Sequence, residues 1–279
     1  MAYGTTIRRK TLDDRIKALF VSHRRRIGSK RMVTEYYKRH GERIGRCAVR
    51  SSYRRQGLVA IRPRSKMPWT TDSDHNLVIS PFLLADGKNR PSGPGAVIVG
   101  DITYLPLLTG GFAYLAIIQD MFTKQLVGWA VADSLKAAIV VNALKKALFK
   151  GMIRKNAIVH TDRGSQYASN VYRDLLSAND LRQSMSRRGN CYDNAQAESF
   201  FARIKIELLE GGKFDTVTTA RTEVFSYIEG YYNRIRPHSA IRNMAPDEFT
   251  EMFKKAADLH KTKLPAIVPT QIPAQQAAI

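Results

Sequence analysis

The pattern that most narrows the possible folds begins at residue 96. Two β-rich apolar runs, AVIVGDITYLPL and FAYLAIIQD, are separated by Thr109-Gly110-Gly111, and a third run, QLVGWAVA, follows after a short connection. A glycine turn of that length suits a hairpin, so the three runs predict an antiparallel meander. Helical periodicity then alternates with short strands. KAAIVVNALKKALFK at 136–150 predicts a helix, AIVHTD at 157–162 a buried strand, 169–178 a helix, and RQSMS at 182–186 a strand, before a further helix carrying ESFFARIKIEL. The order β-β-β-α-β-α-β-α predicts an α/β fold: a mixed five-stranded sheet with helices on both faces and the first and fourth strands as neighbours.

The chain before this pattern is of another kind. Of 279 residues carrying a formal net charge of +21, the first 90 hold 22 Lys and Arg against 7 Asp and Glu. Such a footprint favours phosphate backbones through counterion release. No stretch has the apolar length of a membrane span, and no basic segment has the apolar face of an interfacial helix, so DNA is the expected partner and a membrane is not. Three helices are predicted here. The first covers 11–26, with Thr11 as cap; the second covers about 30–40, capped by Ser29, stopped by Gly41, and with Val33, Tyr36 and Tyr37 inward; the third covers about 46–56 and stops at Gly57. Two short helices joined by a glycine-containing turn resemble a helix-turn-helix, whose third helix, RCAVRSSYRRQ, would offer Arg50, Arg54 and Arg55 to DNA.

The expected organisation is a basic helical region at 1–61, a Pro-rich linker or extended arm at 62–95, a catalytic core with C-terminal helices at 96–260, and a flexible tail at 261–279. Within the core, 217–235 is predicted to be one amphipathic helix, with Tyr231, Tyr232 and Asn233 docking it. Cys47 and Cys191 stand far apart and form no Cys-x-x-Cys pair, which indicates neither a disulfide framework nor zinc. The opening MAYGTTIRRK has no apolar core after its charges, so a cytoplasmic, nucleoid-associated protein is expected.

Three carboxylates stand out. Asp101 lies inside the first strand, where an ionised side chain is costly unless paired or bound to a cation, and Asp162 ends the fourth strand beside a glycine-bearing turn. If those strands are neighbours the two carboxylates are too, and they would repel unless a divalent cation neutralises them. Glu198 would complete the set from the last helix, which Asp193 and Gln196 could open as a capping box and which Ala197, Phe201, Ile204 and Leu208 would bury. Oxygen-only ligands suit Mg2+ or Mn2+. Lys205, seven residues beyond Glu198, returns to the same helix face, and the loop Arg187-Arg188-Gly189-Asn190 adds donors. Taken singly, each has a plainer role: Asp162 as a turn former, Asp101 as a partner for Arg163, Glu198 and Lys205 as surface charges. His160 and His238 read as structural.

Asp101, Asp162 and Glu198, with 35 residues between the last two, resemble the Asp-Asp-Glu set of the retroviral-integrase and transposase superfamily. The words GDITY, HTDRGSQYAS, MSRRGNCYDNAQAESFFARIKIEL and YYNRIRPHSAI resemble the integrase-core transposase encoded by the second reading frame of bacterial insertion sequences. The likeness spans roughly 10–260. It implies an RNase H-like core, two metal ions per active site held by the three carboxylates, cleavage at the element's terminal inverted repeats, and 3′-hydroxyl strand transfer into target DNA. It also implies that Lys205, Arg187, Arg188 and Asn190 position DNA, that the protein forms a homo-oligomer on DNA, and that the first-reading-frame protein is a possible partner. Members commonly carry tryptophan three residues before the first aspartate, where this chain has Ile98, and no leucine-zipper segment opens the chain.

Overall fold

A computed structural model of the chain describes residues 2–61, 77–84, 89, 91–187, 195–209 and 212–263, with 2–6, 195–198 and 257–263 described by backbone alone. The core is a five-stranded sheet built from β1 (Val97–Pro106), β2 (Phe112–Asp120), β3 (Leu126–Ala132), β4 (Ile158–Thr161) and β5 (Arg182–Met185), in the order β3-β2-β1-β4-β5. β1, β2 and β3 pair antiparallel as the predicted meander, whereas β4 joins β1, and β5 joins β4, in parallel. Gly110 and Gly111 close the β1–β2 hairpin at φ +90° and +73°, values that glycine adopts without a Cβ penalty. This is the mixed five-stranded sheet that the strand order predicted, in the RNase H-like arrangement that the resemblance implied.

Alternation along the strands divides the core into two layers. Ile98, Ala116, Ile118 and Val159 pack beneath α4 (Ala137–Phe149), α5 (Ser165–Ala168) and α6 (Asn170–Ser177). Val99, Leu105, Leu115 and Ile117 face the other way, against α7 (Ala195–Leu209), α8 (Val217–Phe225) and the segment after it. The short α5 was not foreseen. Nor was the break near 226: the expected single helix over 217–235 is α8 followed by a π-helical stretch, Ser226–Tyr232, whose wider turn lets Tyr227, Ile228, Tyr231 and Tyr232 all be buried. Asn233 clasps β3 by accepting from the Leu126 amide at 3.0 Å and donating to its carbonyl at 3.1 Å, as the docking role required. The last described element is α9 (Pro246–Lys263), which takes in residues 261–263 where the tail was expected to begin; the rest of the expected tail, 264–279, lies outside the described residues.

The basic region holds α1 (Ala2–Ser22), α2 (Ser29–His40) and α3 (Arg46–Arg55) around a small core of Ile16, Leu19, Phe20, Ile27, Met32, Tyr36 and Val49. α1 starts well before Thr11, which therefore cannot cap it; the Thr11 hydroxyl donates instead to the Ile7 carbonyl one turn back. α1 also ends before the arginine run, because Arg24 and Arg25 turn the chain at φ +48° and +62°. Gly28, not Ser29, is the N-cap of α2, and Tyr37 is 48% exposed while Met32 takes the inward position. Of the Pro-rich arm, residues 79–83 run beside β5. The Ser80 hydroxyl donates to Gln183 at 2.7 Å, the Leu83 amide donates to the Ser184 hydroxyl at 3.0 Å, and the Pro81 carbonyl accepts from Met185, so an otherwise bare sheet edge is partly covered. Among the described residues no helix is long and apolar enough to cross a membrane.

Candidate active site

Register brings the two aspartates together. β1 and β4 pair Val97 with Ile158, Ile98 with Val159 and Val99 with His160, and the same offset carried two residues further sets Asp101 opposite Asp162. The strand period of two places both on the face that Val99 and Leu105 share, the face covered by α7. Asp101 is 9% exposed and accepts from the Ile102 amide at 2.8 Å. Asp162 accepts from the Gly164 amide at 3.0 Å, so the turn-forming role and membership of a carboxylate pair coexist in one side chain. A Cβ on Gly164 would stand 3.1 Å from that carboxylate oxygen and 3.0 Å from Gln166 Oε1, so either side chain would have to give by a few tenths of an ångström. Arg163 donates to the Ser186 carbonyl at 2.6 Å, which ties the turn to the end of β5.

Tyr167 registers both charges. Its hydroxyl is fully buried and pushed well above the usual phenol value, first by burial and then by Asp101 and Asp162. Tyr104, also raised chiefly by burial, feels Asp162 as well. His160 is structural as expected: it is fully buried, with Nδ1 2.9 Å from the Ser184 hydroxyl and Nε2 3.2 Å from that of Ser186.

The third carboxylate position stands on α7, which Phe200, Phe201, Ile204 and Leu209 bury against β1 and β2. Phe200, 2% exposed, widens the stripe expected from Ala197, Phe201, Ile204 and Leu208. The Glu198 side chain, Arg188, Asn190 and the Asp193 half of the capping box lie outside the described residues, as does the side chain of Ala197. Among the described residues no group of three His, Cys, Asp or Glu gathers as a metal site. The donor chemistry of Asp101 and Asp162, oxygen only, is of the kind that fits a hard divalent cation. Lys205 is half-buried on α7, and the Arg187 guanidinium lies 4.9 Å from the centre of the Phe82 ring. On α3, Arg50 and Arg54 are exposed as expected. Arg55 is not free for DNA in the same way: it forks onto Asp13 of α1 at 3.0 and 2.6 Å, because the α1–α3 packing brings that carboxylate within reach.

One buried pair escaped sequence reasoning. Arg236, 1% exposed, donates to both oxygens of Glu207 on α7, at 2.7 Å and 2.9 Å, and the Tyr227 hydroxyl adds a third bond at 2.9 Å. Burial alone would raise the Glu207 carboxyl, but Arg236 outweighs it and the net shift is downward. The signal was available: Glu207 falls at i+7 from Phe200 and i+3 from Ile204, inside the apolar stripe, where a carboxylate requires a partner.

Residues 91–191 and 179–246 match integrase core domains, and residues 7–66 match an HTH-like domain. The chain is 38% identical over 241 residues to the transposase InsF for insertion sequence IS3A of Escherichia coli K12, covering 86% of this chain and 82% of that one. The chain belongs to the IS3-type insertion-sequence transposases. A second relative of this transposase, the insertion element IS600 uncharacterized 31 kDa protein of Shigella sonnei, is 36% identical over 253 residues, covering 89% of this chain and 92% of that one. Among solved structures, a simian T-cell lymphotropic virus intasome in complex with the PP2A regulatory subunit B56 gamma matches 75% of this chain and 66% of that one, at 14% identity and TM-score 0.48. The HTLV-2 integrase catalytic core domain in complex with magnesium, in its trimeric form, matches 58% of this chain and 99% of that one, at 13% identity and TM-score 0.45.

Proposed function

We propose that this DNA transposase works through Asp101, Asp162 and Glu198 as a single two-metal-ion site. The observation that carries the proposal is the β1–β4 register, which supports Asp101 and Asp162 as neighbours on one sheet face beneath the helix that bears Glu198. Mg2+ or Mn2+ bound there supplies the charge that activates an attacking oxygen and stabilises the leaving one in an in-line displacement at phosphorus. The chain's own work is positional. The Gly164 amide holds the Asp162 carboxylate, the sheet holds Asp101, and the apolar stripe of α7 packs the helix that carries Glu198 against the same sheet face. Lys205, Arg187, Arg188 and Asn190 steer the DNA strand, and Arg50 and Arg54 contribute on the helix-turn-helix-like region, where Arg55, paired with Asp13, braces α3 against α1. The chain acts as a homo-oligomer holding two element ends, alone or with a first-reading-frame protein.

The test is a nicking and strand-joining assay on labelled element ends with Mg2+, Mn2+ or EDTA, comparing wild type with Glu198→Gln. Metal-dependent nicks and joined products that vanish in the variant support the three-carboxylate site. Unimpaired cutting by Glu198→Gln removes Glu198 from it.

A further inference from the structure

Between the basic helices and the core lies a cleft of about 1040 Å3. One wall is α3, where Arg46, Arg50 and Arg54 recur every fourth residue and so form one stripe, each roughly 6 Å from the next along the axis. The floor includes Lys30 at the start of α2. The opposite wall belongs to the core: Ser199 and Arg203 of α7, and Lys124 from the β2–β3 turn. Among its described lining residues are eight Lys or Arg and no Asp or Glu. Arg236, one of the eight, is already neutralised by Glu207, but the stripe on α3 and Arg203 point exposed side chains across the opening.

A second observation marks the same wall. The Nη1 atom of Arg31 is buried and has no hydrogen-bond partner among the described residues, although Nη2 donates to the Arg26 carbonyl at 3.1 Å. Burial and then the neighbouring Arg236 charge lower the Arg31 pKa, against the Glu207 carboxylate that lies 3.8 Å from Nη2 and serves Arg236 as well, so two guanidinium groups share one carboxylate at this cleft. Like charges gathered on two facing walls repel one another, and a polyanion laid between them removes the repulsion while releasing its own counterions.

We propose that this cleft is a bipartite binding site for the phosphodiester backbone of DNA, closed on one side by the helix-turn-helix-like region and on the other by α7. The inference rests on the transposase reading and extends it, because it gives the catalytic core its own DNA contact, through Arg203, independent of groove readout by α3; Lys124 adds positive charge to that wall while its ammonium donates to the Met121 carbonyl at 2.7 Å. Arg203 stands five residues beyond Glu198, about 7.5 Å along the helix axis. A backbone gripped in the cleft is thereby indexed to the carboxylates by one rigid helix.

The test measures fluorescence anisotropy of three labelled probes across about 50 to 200 mM salt: a duplex bearing the element's terminal sequence, an unrelated duplex, and the single strand. The proteins are wild type, the double variant Lys30→Ala with Arg203→Ala, Arg203→Lys, and Lys145→Ala on the exposed face of α4 as control. The double variant should weaken binding to related and unrelated sequences alike and reduce the salt slope by about 1 per lost contact. Arg203→Lys and Lys145→Ala should keep the wild-type slope. Loss confined to the duplex identifies double-stranded backbone as the occupant, and loss confined to the single strand identifies a cleaved or displaced strand; either supports the cleft. An unchanged slope in a double variant that melts like wild type overturns it, while wild-type nicking in the same preparation leaves the transposase reading intact. A wild-type chain that neither binds nor nicks, even with the first-reading-frame protein supplied, overturns both.

Discussion

At Asp162 one carboxylate oxygen is engaged by the Gly164 amide at 3.0 Å, which fixes the side chain while its neighbour across the strand is Asp101. Asparagine retains an oxygen that can accept the same bond, so Asp162→Asn should keep the turn and the fold. It removes only charge and metal affinity. We expect DNA affinity within a few tenths of a kcal/mol of wild type and cleavage reduced at least about 100-fold, measured by anisotropy and nicking on the same ends; normal cutting would remove Asp162 from the metal site. Tyr167 makes the opposite kind of prediction. Its buried hydroxyl has no hydrogen-bond partner among the described residues, and a buried unsatisfied hydroxyl costs roughly 1–3 kcal/mol. Tyr167→Phe should therefore melt at or above the wild-type temperature, and a clear loss of stability would show that the hydroxyl is engaged.

At the scale of elements, α7 carries two opposed loads. Its apolar stripe covers the sheet face that bears Asp101, and its carboxylate at 207 receives Arg236 from the segment after the π-helix. The Arg26 guanidinium also donates to the Glu207 carbonyl at 2.8 Å and lies 5.1 Å from the centres of both Tyr227 and Tyr231, so the basic region is tied to this same helix. Removing one partner of a buried pair leaves the other charged and unpaired. Glu207→Gln should cost roughly 3–5 kcal/mol in urea unfolding. Pairing it with Arg236→Met should recover a large part of that loss, and absence of recovery would mean that Glu207 is held by something other than Arg236.

For the molecule as a whole, the pair sets a direction for the response to acid. His238 takes a bond from Arg236 at 3.1 Å, and burial, then the Arg236 charge, depress its pKa to about 2. Between that value and the 6.5 of an unperturbed histidine, the unfolded chain binds a proton that the folded chain refuses. Stability must then fall as pH falls through this window, by up to about 1.4 kcal/mol per pH unit. Glu207, whose carboxyl is depressed, adds stability that is present above its unfolded value and lost as pH drops through its folded one. Urea midpoints at neutral and mildly acidic pH should show the decline above the carboxylate range, and His238→Asn should flatten it. A slope unchanged by that substitution would assign the acid sensitivity elsewhere.

Much of this was legible in one dimension because it depends on local pattern. Period-two runs and a Gly-Gly turn predicted the meander, an aspartate inside an apolar strand announced a cation or a partner, and the spacing of Asp101, Asp162 and Glu198 with the words around them pointed to the transposase family. The limits of local pattern appear at α1, α2 and 226. Caps were assigned to Thr11 and Ser29 from residue type, yet where a helix starts depends on what its first turn can pack against, and a single helix was expected where tyrosine burial selected a π-helical turn. What only the tertiary structure decided were the meetings between distant segments: Arg55 with Asp13, Arg236 with Glu207, and the basic stripe of α3 facing Arg203 across a cleft. Ion pairs and charged walls of this kind follow from through-space electrostatics, which has no period along the chain, whereas strands and helices repeat because the backbone does.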